Sequence, residues 1–229
     1  MKARDEFIRQ LDEALPQTQC TRCGYPDCRA YAEAMATGDA DINQCPPGGA
    51  EGVARLAALT GRPARPLNPQ HGTEGPLQLA VIDEAWCIGC TLCLAVCPAD
   101  AIMGGSKAMH TVIAAECTGC ALCLPACPVD CIAMAPVSDA RTGWSAWSPD
   151  QAARARSRYA RHGERLARDV REHDERLAAK APAHRPPAAP DRAAPAASAT
   201  GAAPQPDADS RRAAVIQAAL ARARAARNA

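Results

Sequence analysis

Cysteines are the residues of this 229-residue chain whose type and spacing could do chemistry, since twelve of the thirteen fall into three closely spaced sets. The spacing C-x2-C-x2-C-x3-C-P occurs twice, and a looser set with the spacing C-x2-C-x4-C-x16-C precedes both. The odd total, the tight spacings and a charged N-terminus without an apolar signal segment favour metal ligation over a disulfide scaffold. The three sets are Cys20, Cys23, Cys28 and Cys45; Cys87, Cys90, Cys93 and Cys97; and Cys117, Cys120, Cys123 and Cys127.

The second and third sets belong to an internal repeat, because residues 87–102 align with residues 117–132 without a gap. Three thiolates two residues apart on a tight loop can face one compact centre. In the bacterial ferredoxin pattern the fourth cysteine of each run ligates the other cluster. Structural zinc, which takes two C-x2-C pairs separated by a longer finger, fits this pattern poorly. We therefore expect two [4Fe–4S] clusters, one held by Cys87, Cys90, Cys93 and Cys127 and one by Cys97, Cys117, Cys120 and Cys123.

The N-terminal set offers four soft ligands, with no histidine or aspartate at a competing ligand spacing. Gly24 and Pro26 bend the loop so that thiolates can converge. Spacing alone leaves two alternatives open here, a zinc site and a third [4Fe–4S] cluster. We expect the cluster, held by Cys20, Cys23, Cys28 and Cys45, because the same chain already carries two.

The elements that must position these cysteines predict an α+β fold. Apolar spacing predicts helices over residues 3–15, 29–36 and 50–59, and short β-like runs flank each copy of the repeat. Ser148 and Gln151, with Pro149 between them, predict the capped start of a helix that runs to about residue 180. The predicted organisation is a four-cysteine domain (1–59), a linker (60–76), a ferredoxin-like domain (77–136), a connector and basic helix (137–180), a disordered Ala/Pro-rich linker (181–209) and a basic C-terminal helix (210–229).

Charge divides the chain unevenly. Residues 1–149 contain 10 Lys/Arg and 16 Asp/Glu, whereas residues 150–229 contain 16 and 9. The basic stripe of the predicted helix 148–180 is expected to be a solvated face with pairs such as Glu164–Arg168 and Glu172–Arg176. The alternative is docking on an acidic partner or an anionic lipid. Nucleic acid is not expected, because no basic-aromatic pattern accompanies the charge.

Several other residues have simple interpretations. Cys131 is expected to be a small buried apolar residue, because the first copy has Ala101 in its place. Trp86 is expected either to shield a cluster or simply to pack. The histidines are expected at the surface, without metal or acid–base partners; they are His71, His110, His162, His173 and His184.

The segment "LPQTQCTRCGYPDCRAYAEA", the later "INQCPPGG" and the double repeat together resemble the B subunit family of the Rnf/Rsx electron transport complex. The resemblance covers roughly residues 5–136, with the same ligand order and domain order. It implies a four-cysteine [4Fe–4S] domain followed by a two-cluster domain. It also implies electron transfer on the cytoplasmic face of a membrane-bound, ion-translocating oxidoreductase.

We therefore expect an electron carrier with three [4Fe–4S] clusters, redox proteins and complex subunits as partners, and no site for an organic substrate. Members of the family usually begin with a hydrophobic segment, whereas Met1 here leads into a charged helix and the chain has no transmembrane run. The expected location is the cytoplasm, peripheral to the inner membrane. Two alternatives are a stand-alone polyferredoxin and a binding or regulatory module with structural clusters.

Overall fold

A computed structural model describes residues 2–180, which contain five α-helices and four β-strands. The predicted linker 181–209 and helix 210–229 lie outside these residues. No helix within residues 2–180 is both long enough and apolar enough to span a bilayer. The elements are α1 (Lys2–Glu13), α2 (Cys28–Thr37), α3 (Gly49–Thr60), β1 (Gln78–Ile82), α4 (Leu92–Ala95), β2 (Ile102–Met103), β3 (Thr111–Val112), β4 (Ile132–Pro136) and α5 (Pro149–Lys180).

The N-terminal part packs α1, α2 and α3 around one apolar core. The three helices predicted from apolar spacing are confirmed, although α1 ends at Glu13 because Pro16 prevents its continuation. The side chain of Asp27 caps α2 by accepting from the amide of Ala30 at 2.7 Å. The fully buried core side chains include Leu11, Leu15, Tyr31, Met35 and Leu56.

The repeat folds as two short antiparallel pairs, β1 with β4 and β2 with β3. The β-like runs predicted on either side of each copy are thereby confirmed. The apolar core of this part is made mainly of small residues, and the cysteines themselves belong to it. So little apolar area contributes only modestly to stability, and bound metal is expected to contribute the rest.

Hydrogen bonds hold the irregular segments around Arg62 and Glu74 against the helical core. Arg62 donates to the carbonyl oxygens of Met35 and Ala40. Glu74 accepts from the amide of Ala50 at 2.8 Å and from the hydroxyl of Thr142 at 2.6 Å. Residues 60–76, predicted to be a linker by composition, are therefore held by hydrogen bonds within the chain.

Helix α5 begins as predicted, because Ser148 and Gln151 exchange side-chain and backbone hydrogen bonds of 2.9 and 3.1 Å. The prediction that this helix is solvated is wrong for its first half, in which Ala152 and Ala155 are buried. Within residues 2–180 no ion pair joins Glu164 to Arg168.

Helix α5 contacts acidic groups on both parts of the chain. Arg156 lies 3.4 Å from a carboxylate oxygen of Asp12, and the hydroxyl of Tyr159 lies 3.1 Å from a carboxylate oxygen of Asp27. Arg158 lies 3.3 Å from Glu116, near the second copy of the repeat. Helix α5 thus packs across both the N-terminal part and the repeat.

Candidate metal centres

The N-terminal cysteines surround a small cavity, which all four of the predicted ligands line: Cys20, Cys23, Cys28 and Cys45. Cys28 opens α2, and Cys45 stands directly before a single helical turn at Pro46–Gly48. The donors therefore come from a loop, a helix start and a turn. The structure brings together the set that the spacing predicted.

A buried chain of polar side chains holds the loop before Cys28. The side-chain amide of Gln17 donates to a carboxylate oxygen of Asp12 at 2.9 Å and to the backbone carbonyl oxygen of Asp12 at 2.5 Å. Gln19 donates to Gln17 at 2.9 Å and accepts from the amide of Cys28 at 2.9 Å. Gln17, Gln19 and Thr21 all have left-handed φ angles, of 58°, 52° and 58°. This strained backbone needs the buried network to hold it, as strained segments at functional sites generally do.

The chain before Cys45 is fixed from the other side by Tyr31. Its hydroxyl donates to the carbonyl oxygen of Asp41 at 2.6 Å and accepts from the amide of Gln44 at 3.2 Å. Burial raises the pKa of the Tyr31 hydroxyl well above its usual range. Tyr31 therefore stays neutral and donates at physiological pH.

The repeat forms two further cavities, each lined by the first three cysteines of one copy and the fourth cysteine of the other. One cavity, the second-copy site, is lined by Cys97, Cys117, Cys120 and Cys123. The other, the first-copy site, is lined by Cys87, Cys90, Cys93 and Cys127, with Cys131 beside them. The structure thus gathers the cysteines in the crossed sets of the ferredoxin pattern. Their role as ligands stays a prediction.

The two copies use the same backbone geometry. Gly89 and Gly119 have φ angles of 68° and 70°. A Cβ at either position would clash with backbone atoms of the neighbouring segment, so only glycine fits. The amide of Ala101 donates to Cys97 Sγ at 3.2 Å, and the amide of Cys131 donates to Cys127 Sγ at 3.4 Å.

Burial sets the protonation state of the thiols. It raises the pKa of Cys45 well above the usual range, that of Cys120 to about 11 and that of Cys123 to about 12. These groups are therefore neutral thiols until a metal displaces their protons. Across residues 2–180, no three His, Cys, Asp or Glu side chains converge on the position of one metal ion. Each set surrounds a cavity with sulfur donors, a donor set that suits iron–sulfur centres.

Two histidines contradict the prediction that all are surface residues without partners. The ring of His110 is 1% exposed, and its Nδ1 lies 3.4 Å from Cys93 Sγ. The ring of His162 is buried on α5, and its Nδ1 lies 2.8 Å from a carboxylate oxygen of Asp100. The partners come from distant segments, so no local spacing in the sequence signalled either contact.

Trp86 and Cys131 also differ from expectation. Trp86 is 68% exposed, so it neither packs against the core nor covers a cavity. Cys131 is half-buried, and its sulfur lies 3.5 Å from Cys127 Sγ at the edge of the same cavity. Cys131 thus adds a sulfur beside the first-copy site. The equivalent residue beside the second-copy site, Ala101, adds none.

The N-terminal cavity and the cavity of the second copy are joined by a single hydrogen bond. Thr118 lines the second-copy cavity and Thr18 lines the N-terminal one. The Thr118 hydroxyl donates to the carbonyl oxygen of Thr18 at 3.0 Å, and both residues are buried. The first copy has Ile88 at the equivalent position, and Ile88 is 58% exposed.

Comparisons with known proteins agree with this arrangement. Residues 80–134 match the family described as "4Fe-4S dicluster domain", and residues 15–47 match the family described as "Putative Fe-S cluster". These matches favour an iron–sulfur centre over zinc at the N-terminal set.

Three curated relatives carry one common name, that of the B subunit of an ion-translocating oxidoreductase complex. The chain is 61% identical over 140 residues to the relative from Azoarcus sp. (strain BH72), covering 61% of this chain and 76% of the relative. It is 60% identical over 138 residues to the relative from Thiobacillus denitrificans (60% and 73% covered). It is 57% identical over 141 residues to the relative from Hahella chejuensis (62% and 71% covered). The resemblance stated from the sequence is thereby confirmed, and the chain belongs to the B subunit family of the ion-translocating oxidoreductase complex.

Proposed function

We propose that this chain relays electrons through three [4Fe–4S] clusters within an ion-translocating oxidoreductase complex. The observation that carries the proposal is the separation of twelve cysteines into three cavities, each lined by four of them. When bound, such a cluster supplies a one-electron redox couple whose potential depends on burial and on hydrogen bonds to sulfur. The chain itself supplies thiolates, positions them and excludes water.

The ligand assignment follows the three cavities. In the N-terminal site the ligands are Cys20, Cys23, Cys28 and Cys45; in the first-copy site they are Cys87, Cys90, Cys93 and Cys127; and in the second-copy site they are Cys97, Cys117, Cys120 and Cys123. Cys131 is not assigned as a ligand, because each set is complete without it.

The contacts between the sites favour a linear order. The hydrogen bond between Thr118 and Thr18 joins the N-terminal site to the second-copy site. Cys97 and Cys127 each join the two sites of the repeat, because each belongs to one copy and lines the other's cavity. We propose that electrons pass between the N-terminal and first-copy sites through the second-copy site.

Exposure supports the same order. Thr21 and Arg22 are exposed on the N-terminal loop, and Ile88 is exposed on the first-copy loop. Thr118 on the second-copy loop is buried against the N-terminal part. The two ends of the proposed relay are therefore open to partners, while its middle is covered by the chain itself.

The partners follow from the family. The curated relatives are named as subunits of an ion-translocating oxidoreductase complex. We propose that this chain docks on other subunits of such a complex and exchanges electrons with them. Anaerobic capture of the tagged chain from gently solubilised membranes, with mass spectrometry, tests this. Recovery of the membrane subunits supports the proposal, and capture of only a free oxidoreductase from the cytosol favours a stand-alone polyferredoxin.

The cofactor content is tested by analysing the anaerobically purified chain for iron, sulfide and zinc. Three [4Fe–4S] clusters require about twelve iron atoms per chain. An iron content lower by a third, together with one zinc per chain, would indicate zinc at the N-terminal set. Clusters that never accept an electron from dithionite would instead favour the structural-module alternative.

A further inference from the structure

One difference between the two sites of the repeat is a buried imidazole. His110, in the segment between the copies, lines the cavity of the first-copy site together with its cysteines. Its Nδ1 lies 3.4 Å from Cys93 Sγ. Within residues 2–180 no imidazole lies against a sulfur of the second-copy site, whose lining consists of cysteines, alanines, Ile102, Thr118 and Met134.

The imidazole ring is held between two fixed groups. Its Nε2 lies 3.3 Å from the carbonyl oxygen of Gly105, on the side opposite to Cys93. The carbonyl oxygen can only accept a hydrogen bond, and an iron-bound sulfur, which has lost its proton, can only accept as well. A hydrogen bond between the ring and an iron-bound Cys93 sulfur therefore requires the tautomer that carries a proton on Nδ1.

Gly104 allows the ring to lie there. A Cβ at position 104 would overlap Cδ2 of His110. Any side chain at this position would therefore displace the ring from Cys93. The backbone that leads into β3 is thus shaped to bring the imidazole against the sulfur.

We propose that His110 is a positioning residue that tunes the first-copy cluster by donating Nδ1–H to Cys93 Sγ, and this proposal rests on the ligand assignment above. A hydrogen bond to a ligating sulfur stabilises the reduced cluster, which carries one more negative charge, and so raises its reduction potential. Among residues 2–180, no imidazole provides such a donor to the second-copy cluster. The hydrogen bond therefore contributes to making the two clusters of the repeat unequal electron acceptors.

The test is a potentiometric titration of the complete, cluster-loaded chain, followed by EPR spectroscopy. The first-copy signal is identified as the one that Cys90→Ala removes. We expect His110→Ala to shift the reduction equilibrium of that signal about tenfold toward the oxidised form, which is about 59 mV for one electron. The other two signals keep their midpoints.

Two further variants separate the hydrogen bond from simple packing. His110→Asn retains a side-chain N–H near the position of Nδ1 and is expected to restore most of the shift. Gly104→Ala leaves the imidazole in the chain but displaces it, so we expect a shift in the same direction as that of His110→Ala. If His110→Ala fails to load clusters, the midpoints of the first-copy signal in His110→Asn and Gly104→Ala still test the hydrogen bond.

An unchanged midpoint of the first-copy signal in both His110→Ala and Gly104→Ala would overturn the proposal, as would an equal shift of all three signals. Either result leaves the proposed relay intact, since the wild-type chain would still show three reducible clusters. If the wild-type chain lacks reducible clusters, the proposed function fails instead. The two failures are therefore distinguishable.

Discussion

Residues 87–102 and 117–132 share their cysteine spacing, their left-handed glycines and an amide hydrogen bond to the sulfur of the fourth cysteine. The rest of the chain, however, surrounds the two copies differently. In the second copy, Thr118 is hydrogen-bonded to the N-terminal part and Glu116 lies against Arg158 of α5. In the first copy, the equivalent residues are Ile88 and Trp86, and both are exposed. Among residues 2–180, an imidazole lies against a sulfur of the first-copy site but not of the second-copy site.

This difference shows how a duplicated unit acquires two roles. The repeat determines the cysteine loops, which are the same in both copies, whereas unique segments determine access and electrostatics. Covering one loop with the N-terminal part places that copy in the middle of the proposed chain of sites. Leaving the other loop open places it at an end.

The largest expected effect comes from breaking the crossed ligation between the copies. Cys97→Ala should abolish the second-copy cluster although Cys97 belongs to the first copy, because its sulfur lines the second-copy cavity. The measurement is iron content with EPR of the reduced chain, compared with Cys120→Ala. The matched control is Cys131→Ala, which should keep all its iron. If Cys97→Ala instead removes the same signal as Cys90→Ala, the ligation is not crossed.

Loading of the second-copy site should depend steeply on pH. Burial raises the pKa of Cys120 to about 11 and that of Cys123 to about 12, so both thiols are protonated at neutral pH. Each thiol must release its proton to ligate iron, and loading therefore becomes more favourable as pH rises toward those pKa values. Reconstitution of the cluster-free chain at about pH 6.5 and about pH 8.5 measures this. We expect a larger loaded fraction at the higher pH, and equal loading would contradict the requirement that the thiols release their protons on loading.

Exchanging the residues that distinguish the two loops should have unequal consequences. Thr118→Ile places a larger side chain in a buried contact and removes its hydrogen bond, at a cost of about 1–3 kcal/mol. It should also slow electron exchange with the N-terminal cluster. Ile88→Thr, at the exposed equivalent position, should change neither property. Denaturant unfolding under anaerobic conditions and rapid-freeze EPR provide the measurements. Equal effects of the two substitutions would show that the loops are equally covered.

A smaller effect is expected at the anchor of α5 on the first copy. Asp100 accepts from Arg165 at 2.7 Å and lies 2.8 Å from His162, whereas the equivalent Asp130 is exposed. Asp100→Asn should weaken this anchor by about 1 kcal/mol, and Asp130→Asn should have no effect. Amide hydrogen exchange along Pro149–Lys180 measures the change. Unchanged protection of α5 in Asp100→Asn would contradict the anchoring role.

The same anchor has a predictable dependence on pH. Burial alone would raise the pKa of Asp100, but the hydrogen bonds from Arg165 and His162 outweigh it, so its pKa is lowered. A lowered pKa in the folded chain means that the contribution is present above the unfolded value of about 3.9 and is lost as pH falls through the folded value. The difference in protection between Asp100→Asn and the wild-type chain should therefore persist at neutral pH and vanish in acid.

Local patterns in the sequence predicted the cysteine sets, the three N-terminal helices and the capped start of α5. Each of these depends on residues close together in the chain, such as the glycines of the loops or Ser148 with Gln151. The contacts that were missed join distant segments. His110, directly before β3, contacts Cys93, which lies 17 positions earlier in the chain. Thr118 contacts Thr18, which lies 100 positions earlier.

The N-terminal half of α5 illustrates the same limit. Its arginines predicted a basic stripe, and a stripe of this kind is compatible with solvent, lipid or an acidic partner. Its partners proved to be acidic residues of the same chain, including Asp12, Asp100 and Glu116. Charge periodicity indicates which face is basic, but it contains no information about which acidic group that face will meet.

The central claim, that the second-copy site lies between the other two, is tested most directly by magnetic coupling in the reduced chain. Reduced clusters that lie close together broaden each other's EPR signals. We predict that Cys120→Ala, which removes the second-copy cluster, leaves the N-terminal cluster with an isolated, uncoupled signal. Cys90→Ala, which removes the first-copy cluster, should leave the N-terminal cluster coupled. The opposite pattern, with coupling lost in Cys90→Ala and retained in Cys120→Ala, would contradict the proposed order.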